Sequence, residues 1–464
     1  MSLFISDVEV DATRCSVLIE GPTVVAVGTD LVRPPGARHI DGNSSMLLPG
    51  LHDHHVHLLS SAARARSINV GPPDVRTPED LSRLLRNTAS TLDGAWIRGI
   101  GYHESVAGPL NRRVLDQLVS SSPVRIQHRS GAMWFLNSLG LDRSGLEDSR
   151  VVAVERDDQG RLTGRLFRGD HVFGVGEGTD VDDLKTLSDA AARCGVTGFT
   201  DAAPNQTSAG IETLAFARRT GAIRQRLTLM SPPHVVAPAH DHVDVGPVKV
   251  LLDDVLLPGL KELVEIVVDA HGTGRAIAIH CVTDLQTALA LSAINVAGPI
   301  GTDRIEHGSI MPVEFDRLAR ACAVTVVTQP HFIAERGDDY LRDVPEQFHD
   351  VLYRARTLID AGIPIAGGTD APFGSGDPWV AIAAATQRTT RSGAVIGPTE
   401  RLTPTQAIDL FTGDARTPGR RRRVEVSAPA DLCLLTLDTA SALEDLSAAN
   451  VRMTIIDGDV VYDR

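Results

Sequence analysis

Residues 44–57, SSMLLPGLHDHHVH, decide the fold. The stretch opens as an apolar, strand-like run and closes on histidines, with His55 and His57 two residues apart. On an extended strand that spacing turns both imidazoles to one side, and neutral imidazole is a common metal ligand. His52 and His54 crowd the same segment, so the spacing alone leaves ligation and hydrogen bonding both open. Working outward, the pattern repeats: a short β-rich run ends in polar residues and a helix-like stretch follows. The runs VRIQHRS (124–130), VTGFTDAA (196–203), PVKVLLDD (247–254), AIAIHCVTD (276–284), DRIEHGS (303–309), VTVVTQPH (324–331) and IPIAGGTD (363–370) bring the strands to eight. Helical patterns fill the gaps, among them PEDLSRLLRNTASTL (78–92), DDLKTLSDAAARCG (182–195), PGLKELVEIVVDAHG (258–272) and LQTALALSAINVAG (285–298). Alternating β and α implies a parallel sheet, and eight such units predict an α/β fold, a TIM (β/α)8 barrel. No GxGxxG turn follows the first strand, as a doubly wound nucleotide-binding sheet would carry. An extra β-run, WIRGIGY (96–102), competes with VRIQHRS for second place.

The two ends have a different texture. Residues 1–46 and 425–464 read as short strands broken by turns, such as CSVLIE (15–20) and ADLCLLTLD (430–438). Both ends are therefore predicted to pair in one small β-sandwich domain, leaving 47–424 to the barrel. The chain has 464 residues and a formal net charge of −14, which argues against a nucleic-acid or anionic-membrane surface. Its five cysteines are scattered without zinc-cluster spacing, which suits a reducing compartment. With neither a basic-then-apolar leader nor an apolar stretch long enough to cross a bilayer, the expectation is a cytoplasmic protein acting on a small molecule. A homo-oligomer is compatible with this reading.

In a TIM barrel the active site forms at the carboxyl ends of the strands. Collecting the polar residues there gives His55, His57, Lys249, His280, His307 and Asp370. His280 ends the run AIAI and His307 follows RIE one strand later, a spacing that matches one β/α unit. Lys249 sits inside an apolar run, where an ammonium group is costly to bury. It is one of only three lysines in the chain, among 45 basic residues. A lysine snorkelling to the rim would account for it; so would a neutral amine that adds carbon dioxide to become a carbamate, which arginine cannot do. Asp370 follows IPIAGGT, where a turn aspartate is common and where a ligand carboxylate could also accept a proton.

The ordered set, with LLPGLHDHHVHL, VKVLLDD, IAIHCVTD, RIEHGSIMP, TQPHF and GGTDAPFGSGDP around it, resembles the amidohydrolase superfamily, and within it amidohydrolase family 3, the branch of YtcJ-like and N-substituted formamide deformylase-like proteins. The likeness runs over nearly the whole chain. It implies a metal-dependent hydrolase of carbon–nitrogen bonds other than peptide bonds, with two divalent ions, zinc first among them. His55, His57 and Asp370 would hold one ion and His280 and His307 the other, bridged by a carbamate on Lys249. A hydroxide bridging the ions would attack an amide-type carbonyl, with Asp370 as general base and then acid. An acyclic N-formyl or N-acyl amide is the first expected substrate. A cyclic amide, or metal-assisted decarboxylation on the same scaffold, is the alternative, and a barrel that has lost its metals is a third reading, opposed by the full ligand set. His331, His128, His103, Tyr102 and Trp134 are candidate substrate contacts, and Arg168 would suit a substrate carboxylate. The chain departs from the branch at Ala132, where relatives carry histidine, at Arg168, where they carry glutamate, and after Asp253 and Asp254, where their loop is longer.

Overall fold

Eight parallel strands make the central sheet: β1 (Leu51–Val56), β2 (Val196–Asp201), β3 (Arg226–Ser231), β4 (Val243–Leu251), β5 (Ile277–Cys281), β6 (Arg304–His307), β7 (Thr325–Thr328) and β8 (Ile365–Gly367). Each pairs with the next in numerical order. Just beyond β8 the cylinder closes on β1, where Asp370 N donates to His55 O at 2.7 Å and His57 N donates to Ala371 O at 2.8 Å. The result is a TIM barrel. Every residue of β1, β2, β6, β7 and β8 is buried, as expected of parallel strands covered on both faces. Helices Leu260–Gly272 and Asp284–Ala297 follow β4 and β5, the second capped by the Thr283 hydroxyl, which accepts from Gln286 N at 3.3 Å.

This computed structural model describes residues 2–92, 94–146, 154–167, 181–232, 235, 243–254 and 257–464. They divide into two compact units, Met1–Leu58 with Leu184–Arg464, and Leu59–Asp183. The first holds the barrel and a seven-stranded sheet built from both ends of the chain. In that sheet, strand Arg38–Pro49 runs parallel to Ser2–Val10 along its first part and antiparallel to Leu432–Leu435 along Leu47–Pro49. Leu3, Ile5, Val17 and Ile40 share one core with Leu432, Leu434, Met453 and Ile455.

The second unit corrects one barrel strand. VRIQHRS lies there, as strand Val124–His128 of a six-stranded sheet, between the strands Ile97–Tyr102 and Met133–Leu136. The missing barrel strand is β3, RLTLMS, which ends in Ser231 and Pro232 and so carries no ionisable residue at its tip to mark it. Pairing explains the swap: Val124–His128 finds an antiparallel partner one short turn away in Met133–Leu136, which a barrel strand followed by a crossover helix cannot have.

Candidate metal centre

Alternation along β1 sends His52 and His54 one way and Asp53, His55 and His57 the other. His52 Nε2 pairs with Thr200 Oγ1 at 2.8 Å, and the His54 ring packs 4.5 Å from the His52 ring. On the opposite side, His57 Nε2 lies 3.0 Å and His55 Nε2 3.5 Å from Asp370 Oδ1. These three residues are buried, with one ligand atom each, all within 4.8 Å of one another. Ring centroids then run from His55 to His307 at 4.8 Å and from His307 to His280 at 4.5 Å. Four imidazoles and a carboxylate thus converge from β1, β5, β6 and the end of β8.

Lys249, from β4, completes the set. Its side chain is 3% exposed, and Nζ has no hydrogen-bond partner among the described residues. Burial drives its pKa down, against the pull of the Glu306 and Asp370 carboxylates. Burial likewise holds His55 well below the usual imidazole range, and the Lys249 and His307 charges add to the effect. For Asp370, burial alone would raise the carboxyl; the His57 hydrogen bond and the nearby His55 and His307 rings overcome it, and its pKa falls below the ordinary carboxylate value. Imidazoles and a carboxylate gathered in one buried site are donors that a divalent metal takes, and beside them lies a buried amine without a hydrogen-bond partner among the described residues, so these residues fit a metal of the kind that the sequence implies.

Two of the cluster residues sit on left-handed backbone, His307 at φ 70° and Asp370 at φ 51°. For residues other than glycine that conformation costs on the order of 1–3 kcal/mol each, and such strain gathers at functional sites. Close approach is enforced beside them. A Cβ on Gly368 would stand 2.4 Å from His55 Cβ, so only glycine lets the end of β8 reach β1.

A ring of buried residues that the sequence did not single out holds these side chains in place. Glu306 accepts from His55 Nδ1 and from Arg304. Gln329 Oε1 accepts from His307 Nδ1 at 2.8 Å. Asp53 accepts from Thr369 N at 2.9 Å, Thr369 Oγ1 at 2.5 Å and His55 N at 3.2 Å, tying β1 to the residue before Asp370. The available signal was the one that marked Lys249, an ionisable residue inside an apolar strand: Arg304 and Glu306 flank Ile305 in RIEH.

The expected substrate contacts divide. His331 opens the helix His331–Asp343 after β7, is buried, and donates from Nε2 to Thr369 O at 3.0 Å, while its Nδ1 has no hydrogen-bond partner among the described residues. Tyr102, His103, His128 and Trp134 all belong to the Leu59–Asp183 unit. Tyr102 is a core residue there, its hydroxyl donating to Gly108 O at 2.5 Å and its ring 5.6 Å from Phe135. His103 caps the helix Glu104–Ala107 by accepting from Ser105 N at 3.2 Å. His128 accepts from Ser130 N at 3.1 Å and lies 3.0 Å from Glu104 Oε2, while the Arg125 guanidinium stands 5.7 Å from the Trp134 ring centre. Arg168 lies outside the described residues.

A closed parallel barrel with a buried histidine–carboxylate cluster at the carboxyl ends of its strands is a place where a metal-dependent enzyme builds its site. A family profile described as "Amidohydrolase family" matches residues 38–462, and the chain belongs to that family. It is 24% identical to an N-substituted formamide deformylase of Arthrobacter pascens, over 97% of this chain and 95% of that one. It is 23% identical to the putative amidohydrolase YtcJ of Bacillus subtilis (strain 168), over 93% and 91%. Among solved structures, an uncharacterized metal-dependent hydrolase from Pyrococcus horikoshii OT3 superposes with a TM-score of 0.76 at 18% identity, over 94% of this chain and 98% of that one. No described helix is long and apolar enough to cross a membrane.

Proposed function

We propose that the protein hydrolyses the carbon–nitrogen bond of a small acyclic amide, with N-formyl and N-acyl amines as its substrate class. The observation that carries this reading is the Nζ of Lys249, without a hydrogen-bond partner among the described residues and buried among His55, His307 and Asp370. The similarity to an N-substituted formamide deformylase supports the substrate class. His55, His57 and Asp370 would hold one ion, His280 and His307 a second, and a carbamate on Lys249 would join them, with zinc the metal best suited to imidazole and carboxylate donors. Zinc, when bound, supplies a Lewis acid that polarises the carbonyl and acidifies a water.

Asp370 does the proton work. Ionised at neutral pH, it takes a proton from the attacking water and returns it to the departing nitrogen. A C–O bond forms as the C–N bond breaks, and an amine leaves beside a formate or carboxylate. The test is elemental analysis of protein purified with zinc and bicarbonate, joined to a panel of N-formyl, N-acetyl and cyclic amides. About two zinc per chain and stoichiometric amine release are expected. Release of carbon dioxide instead of a carboxylate, or less than one metal per chain with Lys249→Ala fully active, overturns the reading.

A further inference from the structure

His55 and His307 present similar faces to the cluster, but their rear nitrogens meet different chemistry. His307 Nδ1 donates to Gln329 Oε1, a neutral amide, at 2.8 Å. His55 Nδ1 donates to Glu306 Oε2, a buried carboxylate. That carboxylate is itself held in a fork: Arg304 Nε donates to Oε1 at 2.7 Å and Arg304 Nη2 to Oε2 at 3.2 Å. The same Nη2 donates to His54 O at 2.7 Å, which anchors the fork to β1, the strand that carries His55. Both Glu306 oxygens are thereby committed, and the ring of His55 has one orientation in which Nδ1–H is satisfied and Nε2 points toward Asp370.

We propose that Glu306, clamped by Arg304, is a positioning residue that fixes His55 as the Nδ1–H tautomer and makes the His55–His57–Asp370 subsite the tighter of two. The inference rests on the reading of these three residues as metal ligands. A carboxylate behind a ligating imidazole orients the ring and raises its basicity, and losing such a partner costs 10- to 100-fold in metal affinity as an order of magnitude. A neutral amide gives orientation with less basicity. Glu306→Gln would give His55 the kind of partner His307 already has.

The experiment measures zinc affinity by chelator competition, the visible spectrum of the cobalt-substituted protein, and the melting temperature of the metal-free protein. In Glu306→Gln the tighter zinc constant should weaken 10- to 100-fold and the cobalt bands should move. Because that change leaves the Arg304 guanidinium buried without its counter-charge, Arg304→Met with Glu306→Gln serves as the second variant: it should recover the melting temperature while zinc affinity stays low. Wild-type zinc affinity in either folded variant overturns the proposal, since Glu306 would then serve folding alone. If neither variant folds, 15N-histidine spectra of the wild-type holoenzyme decide: five-membered-ring signals assigning Nδ1–H to His55 support the proposal, and Nε2–H at His55 overturns it. Wild-type protein that takes up no zinc refutes the metal reading itself, a different failure from unchanged affinity in the variants.

Discussion

Replacing Lys249 by methionine should make the metal-free protein more stable while abolishing its chemistry. Methionine keeps the unbranched stem and exchanges the amine for a thioether, so the packing of β4 is disturbed little. Lys249 is 3% exposed, and the amine removed has no hydrogen-bond partner among the described residues. Protein mutational data put the cost of such a group at about 1–3 kcal/mol, and that amount is regained. With an unfolding entropy of about 2.1 cal/mol/K per residue, a chain of 464 residues converts the gain into a rise of roughly 1–3 °C for the chelated protein. Scanning fluorimetry on chelated wild type and variant reads the shift, and mass-spectrometric metal analysis after reloading reads the loss of bound zinc, with amide hydrolysis falling to background. A chelated variant that melts below wild type, or one that reloads two zinc and turns over, would refute the claim that Lys249 is kept for its reactive nitrogen at the expense of stability.

Asp370→Asn keeps the volume of the side chain and removes its basicity, so kcat should fall by about 10²–10⁴, measured as amine release; an undiminished kcat assigns the proton transfer elsewhere. Gly368→Ala forces a Cβ to within 2.4 Å of His55 Cβ, and the expected outcome is loss of zinc binding with a lower melting temperature; a stable, metal-replete variant would show that β8 need not approach so closely. Burial pushes the Asp53 carboxyl up to about 6, despite hydrogen bonds from Thr369 and His55. The folded state therefore holds its proton to higher pH than the unfolded chain, and this group lowers stability progressively as pH rises from about 4 to about 6, by on the order of 3 kcal/mol in the metal-free protein. Denaturant titrations of chelated Asp53→Asn across that interval should lack this component; a pH profile parallel to wild type would remove Asp53 from the account.

Much of the site was legible because barrel geometry gives strand ends a recognisable form. His55, His57, Lys249, His280, His307 and Asp370 each close or interrupt an apolar run, and an ionisable residue in that position stands out against Val, Ile and Ala. The same rule misplaced VRIQHRS and passed over RLTLMS. A β-run in the second unit looks like a barrel strand until its antiparallel neighbour is seen, and a barrel strand ending in Ser231 offers no titratable tip. Glu306 was hidden for another reason. Its role depends on a contact between β1 and β6, residues far apart in sequence whose juxtaposition only the closed cylinder supplies.

The strand Arg38–Pro49 leads directly into β1, yet one edge of its final residues pairs with Leu432–Leu435, almost four hundred residues further along the sequence. During synthesis that edge stays unpaired until residues 432–435 have been made. An open, apolar strand edge invites pairing with another chain, so protein cut short before residue 432 should aggregate through this segment even when its barrel is complete.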